Sequence, residues 1–367
     1  MRYPDGLMAL VIPEIEALQP YEAGKPVEEL AREAGIHDAV KLASNESPLG
    51  PSPRVVEAIQ AAASGVHAYP DATAYHLRTR LAQRHGVSLD EVIHGNGSNE
   101  LLDLLVRTFA TPADHVVFAE PSFVVYRLAS QAGGVPCTAV PLRDWTHDLE
   151  AMVAAITPRT KLVFVANPNN PTGTYVSRAA VERFLRAVPP EVIVVLDEAY
   201  IEYADARDYP DGLELRSLRE RLIVTRTFSK AYGLAGMRVG YAIGPANLLD
   251  YLFRVRQPFS VSALAQCAAL AALEDQAHVR TGVEMNRAER ARLTAALTNL
   301  GFPPPPSQAN FVFLELPRPG REVYEALLAR GVIVRPFGST PYVRITVGTP
   351  AQNDRFLAAF REVMGVA

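Results

Sequence analysis

TRTFSKAYGLAGMRVG (residues 225–240) lies between two apolar runs, and its reading organises the chain around it. The run that leads into it, RLIVTRTFS (221–229), is short and rich in β-branched residues, as a strand is, and the run that leaves it, RVGYAIG (238–244), has the same character. Between them stand Thr227, Ser229, Lys230 and, eight residues further on, Arg238, interleaved with Gly233, Gly236 and Gly240. A strand that ends in hydroxyls, an amine and an arginine, with glycines to let the backbone turn, asks for a partner with matching groups.

The same alternation continues through the middle of the chain. EVIHG (91–95), HVVFAEP (115–121), KLVFVANP (161–168) and EVIVVLDEA (191–199) are further strand-like runs. NELLDLLVRTFA (99–110) and SRAAVERFLRAV (177–188) have apolar residues at helical spacing, Leu101, Leu104 and Leu105 in the first and Ala180, Phe184 and Val188 in the second. Strands alternating with helices predict an α/β fold with a mostly parallel central sheet flanked by helices. VSALAQCAALAAL (261–273) reads as a buried helix, and the long helical stretch after it stops at PPPPS (303–307). Beyond, ANFVFLEL (309–316) and PYVRITVG (341–348) enclose the helix REVYEALLARG (321–331), which gives a smaller unit. In PYVRITVG, Val343, Ile345 and Val347 alternate with Arg344 and Thr346, so Arg344 turns away from the buried face. The expected division is an N-terminal arm and part of the small domain in 1–50, a large domain in 51–258 and a small C-terminal domain in 259–367.

At 367 residues, 49% hydrophobic and 21% charged, the chain has the make-up of a globular protein with a substantial core. A net charge of -4 offers no basic footprint for nucleic acid or for an anionic membrane surface, so a small-molecule partner is expected. Cys137 and Cys267 form neither CxxC nor Cys/His spacing, so they read as reduced thiols and no metal site is expected. The apolar stretch from Leu7 to Ile12 meets Pro13 and Glu14 too soon for a signal peptide, and no stretch reaches membrane-spanning length. The expectation is a cytoplasmic protein with no membrane contact.

In open α/β sheets ligands bind beyond the carboxyl ends of the strands, and here those ends are polar. EVIVVL ends in Asp197 and LVFVA in Asn167, LIV leads through Thr225 and Thr227 to Ser229 and Lys230, and EVIH opens into Gly95, Gly97, Ser98 and Asn99. Each alone has an ordinary explanation as a cap, a turn or a solvated charge. GNGSNE has Glu100 where a dinucleotide fingerprint needs its last glycine. A glycine turn opening a helix still leaves free N–H groups, either for a phosphate or for an ordinary cap at Ser98. Their joint placement on one edge points to a shared ligand, and pyridoxal phosphate (PLP) would use them all. Lys230 suits its aldehyde, Asp197 its ring nitrogen, and Asn167 and Tyr200 its phenolic oxygen; Thr227, Ser229 and Arg238, beside Gly97, Ser98 and Asn99, suit its phosphate.

GNGSNE, VANPNNPTG, VVLDEAYIEY and TRTFSKAYGLAGMRVGY, at their spacing here, resemble the fold-type I PLP-dependent aminotransferases. NESPLG (45–50), YPD (69–71) and VRITVGT (343–349) are similar to the histidinol-phosphate aminotransferase subfamily, and the resemblance covers nearly the whole chain. It implies a fold-type I architecture whose smaller α/β domain is built from the N- and C-terminal segments, with Lys230, Asp197 and Tyr200 as catalytic residues. It also implies an aromatic ring stacked on the cofactor, at Phe123 of EPSFVVY or at Tyr126. A homodimer is implied, in which Tyr69 reaches the phosphate of the neighbouring subunit's cofactor unless it packs on its own chain. Substrate binding would fall on Tyr21, Asn45, Arg335 and Arg344, an arginine fork suiting carboxylate and phosphate alike; a surface salt bridge is the other reading of Arg335.

The implied reaction is transamination of L-histidinol phosphate with 2-oxoglutarate, giving imidazole-acetol phosphate and L-glutamate in histidine biosynthesis. An aromatic amino-acid aminotransferase, or a PLP-dependent decarboxylase of a phosphorylated amino acid, would carry similar cofactor residues. A transcription regulator with an aminotransferase-like domain would need a DNA-binding extension, and the residues before NESPLG are too few and too acidic for one.

Overall fold

The computed structural model describes residues 13–16, 18 and 24–366. After the short strand β1 (Val40–Lys41), seven strands form the central sheet. They are β2 (Val92–Gly95), β3 (His115–Glu120), β4 (Cys137–Pro141), β5 (Thr160–Ala166), β6 (Ile193–Asp197), β7 (Leu222–Thr227) and β8 (Gly240–Ile243), in the order β2-β8-β7-β6-β5-β3-β4. Neighbours are parallel except where β8 is involved, which runs against both β7 and β2. β4 is absent from the strand-like runs of the sequence because Pro136 and Pro141 bracket it, which an edge strand tolerates and a central one does not.

The inner strands are apolar along their length because both faces are covered. Val117, Val163, Val194 and Val224 pack on one side with Phe184 and Leu185 of the helix Arg178–Ala187. Val116, Phe164, Val195 and Ile223 pack on the other with Leu101, Leu104 and Leu105 of the helix Gly97–Phe109.

The reversal of β8 fixes where its ends fall. Gly240, its first residue, pairs with Thr227, the last of β7, and with Gly95, the last of β2. The chain that leaves β7 at Lys230 therefore comes back through Arg238 to the same sheet edge. The approach is close: a Cβ on Gly240 would stand 2.5 Å from the Ser98 nitrogen and 2.7 Å from the Gly97 carbonyl carbon.

The smaller unit contains β9 (Phe311–Glu315), β10 (Val332–Ile333), β11 (Arg335–Pro336) and β12 (Tyr342–Thr346). β12 lies between β11 and β9, antiparallel to both, and β10 pairs with β1. Val312, Leu314, Val343 and Ile345 face a core with Leu293, Phe356 and Phe360. By strand alternation Phe311, Phe313, Tyr342, Arg344 and Thr346 share the opposite face.

The helix that follows the expected boundary at 259 packs on the large unit. Ala265, Ala268, Ala269 and Ala272 of the helix Ala263–Glu274 share a core with Val55, Leu77 and Phe228 of the large unit. The change of core falls inside the helix Gln276–Asn299, whose Val279 joins that core while Leu293 and Leu297 join the small one. Among the described residues, no helix is long and apolar enough to cross a membrane.

Candidate active site

The carboxyl ends of β5, β6 and β7, the turn before β8, the start of the helix Gly97–Phe109 and the segment Ser44–Glu46 enclose a cavity of about 450 Å³. Lys230 enters it from the turn after β7. Its Nζ donates to the Ser44 carbonyl at 3.2 Å and lies 5.8 Å from the centre of the Tyr200 ring. Burial above all, helped by the charges of Arg344 and Arg238 and partly opposed by Glu46, pushes this amine down from 10.5 to about 7. An amine poised near neutrality serves as nucleophile or base.

Asp197, the last residue of β6, faces the same cavity. The Tyr126 hydroxyl donates to its Oδ2 at 2.7 Å and the Thr225 hydroxyl to its Oδ1 at 3.0 Å. Burial raises this carboxyl above its ordinary value, while the Tyr126 and Thr225 hydroxyls and the Ala199 N–H favour the ionised form and hold the rise in check. One residue further along each strand, Glu198 and Arg226 form a buried ion pair at 2.7 Å that ties β6 to β7 beside Asp197 and Thr225.

Hydroxyls and a guanidinium cluster at the turn before β8. Thr227 Oγ1 donates to Ser229 Oγ at 3.0 Å, and Arg238 Nη1 donates to the same oxygen at 3.3 Å. Ser98 and Asn99 face them from the first turn of a 13-residue helix, where backbone N–H groups have no partner within the helix. Gly97 sits at φ 73°, and a Cβ there would stand 2.6 Å from Arg238 Nη2.

Of the two aromatic candidates, Phe123 lines the cavity. Tyr126 is fully buried, stacked on Phe164 with centroids 4.9 Å apart, and its hydroxyl is engaged by Asp197. It stands behind Asp197 and does not line the cavity.

Asn167 is not brought to the cavity. Its amide is held by Val176, with Oδ1 accepting from the Val176 N–H at 3.0 Å and Nδ2 donating to the Val176 carbonyl at 3.2 Å. Asn170 lines the cavity instead, and its Oδ1 accepts from Arg344 Nη1 at 2.5 Å. NPNNPTG offers three asparagines, and spacing alone does not choose among them. Ser44 is likewise invisible as a site residue, since it contributes only a carbonyl. Thr225 had a signal: it is two residues before Thr227 and so on the same face of β7.

Asn45 Nδ2 donates to the Tyr200 hydroxyl at 2.9 Å, and its Oδ1 accepts from the Thr346 hydroxyl at 3.1 Å. Arg344 Nη2 donates to the Ala43 carbonyl at 2.7 Å, and its guanidinium lies 5.3 Å from the Phe311 ring centre. Arg335 is directly opposite Arg344 on β11 and on the same sheet face, but it does not line the cavity. Tyr69 lies outside the cavity, 83% exposed and stacked on Phe259 at 4.7 Å. Tyr21 lies outside the described residues.

The family described as aminotransferase class I and II matches residues 37–360. Histidinol-phosphate aminotransferase 2 of Pseudomonas aeruginosa is 50% identical to this chain, over 97% of it and 98% of its own length. The histidinol-phosphate aminotransferase of Moorella thermoacetica is 49% identical, over 95% of this chain and 92% of its own length. The chain belongs to the histidinol-phosphate aminotransferase family. A solved structure of that family, the Sinorhizobium meliloti enzyme in complex with pyridoxal-5'-phosphate, is similar with a TM-score of 0.89 at 31% identity, covering 98% of this chain and 99% of that one. The architecture is thus that of the fold-type I aminotransferases, with the one reversed strand inside an otherwise parallel sheet.

Proposed function

We propose that the chain is a PLP-dependent aminotransferase that moves the amino group of L-histidinol phosphate to 2-oxoglutarate, giving imidazole-acetol phosphate and L-glutamate in histidine biosynthesis. The observation that carries this reading is the meeting of Lys230, Asp197 and the Ser229–Arg238 cluster in one cavity. The donor set fits PLP group by group: an amine for the aldehyde, a carboxylate for the ring nitrogen, and hydroxyls, a guanidinium and a helix N-terminus for the phosphate. Gly97 and Gly240 support the fit, since a side chain at either would crowd the phosphate cradle.

Bound there, PLP supplies a sink for the electrons of the substrate's Cα–H bond. Lys230 would hold the aldehyde carbon and, once displaced by the substrate amine, carry the proton away from the substrate Cα. Asp197, anchored by Tyr126 and Thr225, would keep a proton on the ring nitrogen, and Phe123 would cover one ring face. Tyr200 would donate to the phenolic oxygen. Asn170 would join it in place of Asn167, because Arg344 fixes its Oδ1 and so directs Nδ2 the other way.

Arg344, with Arg335 on the same sheet face and Asn45 below Tyr200, would receive the anionic end of each substrate in turn. A guanidinium fork accepts a phosphate monoester and a carboxylate equally well. Tyr69 would act across a homodimer interface; Val66, Tyr69, Tyr75 and Phe259 are exposed large apolar side chains that such an interface would cover. The two free cysteines, Cys137 and Cys267, suit a cytoplasmic enzyme.

The test is a single-turnover comparison of L-histidinol phosphate, L-phenylalanine and L-tyrosine on the PLP-loaded protein. Fast loss of the yellow colour with histidinol phosphate alone is expected. Fast conversion by an aromatic amino acid with none by histidinol phosphate would replace this reading by an aromatic aminotransferase.

A further inference from the structure

We infer that Trp145 positions Arg344 for its anionic ligand by plugging a strained turn of the large unit into the aromatic rim of the β9–β12 sheet. Arg143 and Thr146 exchange backbone hydrogen bonds of 2.9 Å in both directions, which closes a two-residue loop. Asp144 and Trp145 are both left-handed, at φ 48° and 63°, a turn geometry that favours Asn-Gly and suits a bulky residue poorly. Such a conformation persists only where its surroundings over-determine it.

Here they do so from two sides. The Trp145 carbonyl accepts from Thr174 Oγ1 at 2.6 Å, and its ring meets Phe313 and Tyr342 edge-on at 5.1 and 5.2 Å. Phe313 is the direct cross-strand partner of Arg344, and Tyr342 precedes Arg344 by two residues on the same face. Phe313 also touches Phe337 at 6.3 Å, and Phe337 lies 5.9 Å from the guanidinium. The hydroxyl chain behind the turn runs from Thr174 through Thr172 to Asn169, the neighbour of the Asn170 that Arg344 grips. Trp145 does not line the cavity, so it acts through these contacts as a positioning residue.

The inference rests on the aminotransferase reading of Arg344. Trp145 is the sole tryptophan, which makes it its own reporter. In the PLP-loaded protein, succinate, an unreactive dicarboxylate, should change tryptophan emission with the saturation constant that calorimetry gives, and Arg344→Ala should abolish both signals. Trp145→Ala should weaken succinate binding and raise KM for 2-oxoglutarate about tenfold, the scale of one or two lost edge-on aromatic contacts, with kcat and colour unchanged. Trp145→Phe should recover most of the loss.

Succinate bound by the wild type without any change in emission, or bound equally by wild type and Trp145→Ala, would overturn the role of Trp145 and leave the aminotransferase reading standing. Wild-type protein that binds no succinate would overturn both together. Should Trp145→Ala fail to fold, the emission titration of the wild type decides.

Discussion

The hydroxyl of Tyr126 donates to Oδ2 of Asp197 across 2.7 Å, with both side chains buried. A carboxylate withdrawn from water depends on such donors to stay ionised. Tyr126→Phe keeps the ring on Phe164 and removes one donor, at a stability cost of about 1.5–3 kcal/mol, the scale for a hydrogen bond to a charged group. The Asp197 carboxyl should rise further, so it takes up its proton at a higher pH and the acid limb of the pH–rate profile moves toward neutrality. A profile that does not move would show that Asp197 is ionised without help from Tyr126.

Lys230 has an expected signature in the uptake of cofactor. With its amine lowered to about 7, the reactive neutral form falls about tenfold for each pH unit below that value and is nearly complete above it. The rate at which cofactor-free protein turns yellow with PLP should therefore climb from pH 5 to about 7 and then level off. A rate still climbing at pH 9 would place the amine near its ordinary value. Lys230→Ala should give a folded, colourless and inactive protein.

Two glycines of one motif should behave oppositely. Gly240→Ala drives a Cβ into the backbone of Gly97 and Ser98 and should cost about 1–3 kcal/mol, the scale of overpacking, and loosen PLP. Gly236→Ala meets nothing within 4 Å and should shift stability by no more than about 0.5–1 kcal/mol. Thermal midpoints and PLP dissociation constants of the pair check both statements, and equal behaviour would contradict the packing at Gly240.

Asn170→Ala removes one acceptor of Arg344 and should raise KM for both substrates about tenfold, the scale of one charge-assisted bond. Asn167→Ala breaks the two bonds to Val176 and should lower the thermal midpoint with KM little changed. Steady-state kinetics of the two variants would reveal an inverted assignment at once.

The strands and helices of the large unit are legible because period-2 and period-3.6 patterns are local, and the polar strand ends are legible because ligands collect there. Four features depend on tertiary contact instead. The direction of β8 is set by the pairing of Gly240 with Thr227 and with the distant Gly95, so an apolar run alone does not reveal it. The choice of Asn170 over Asn167 depends on which amide Val176 takes. The membership of Ala263–Glu274 in the large core depends on alanines that would fit either core, and Tyr126 reads as a second stacking ring until the aspartate in front of it is seen.

The segment Ala43–Asn45 accepts bonds from Arg344 and Lys230 and gives one to Tyr200, partners between 155 and 301 residues away. Competence would accordingly arrive late in folding, once distant ends of the polypeptide have met. Cleaving the backbone between this strip and the large sheet should leave a stable but inert body, and adding the severed piece back would make activity a gauge of reassembly.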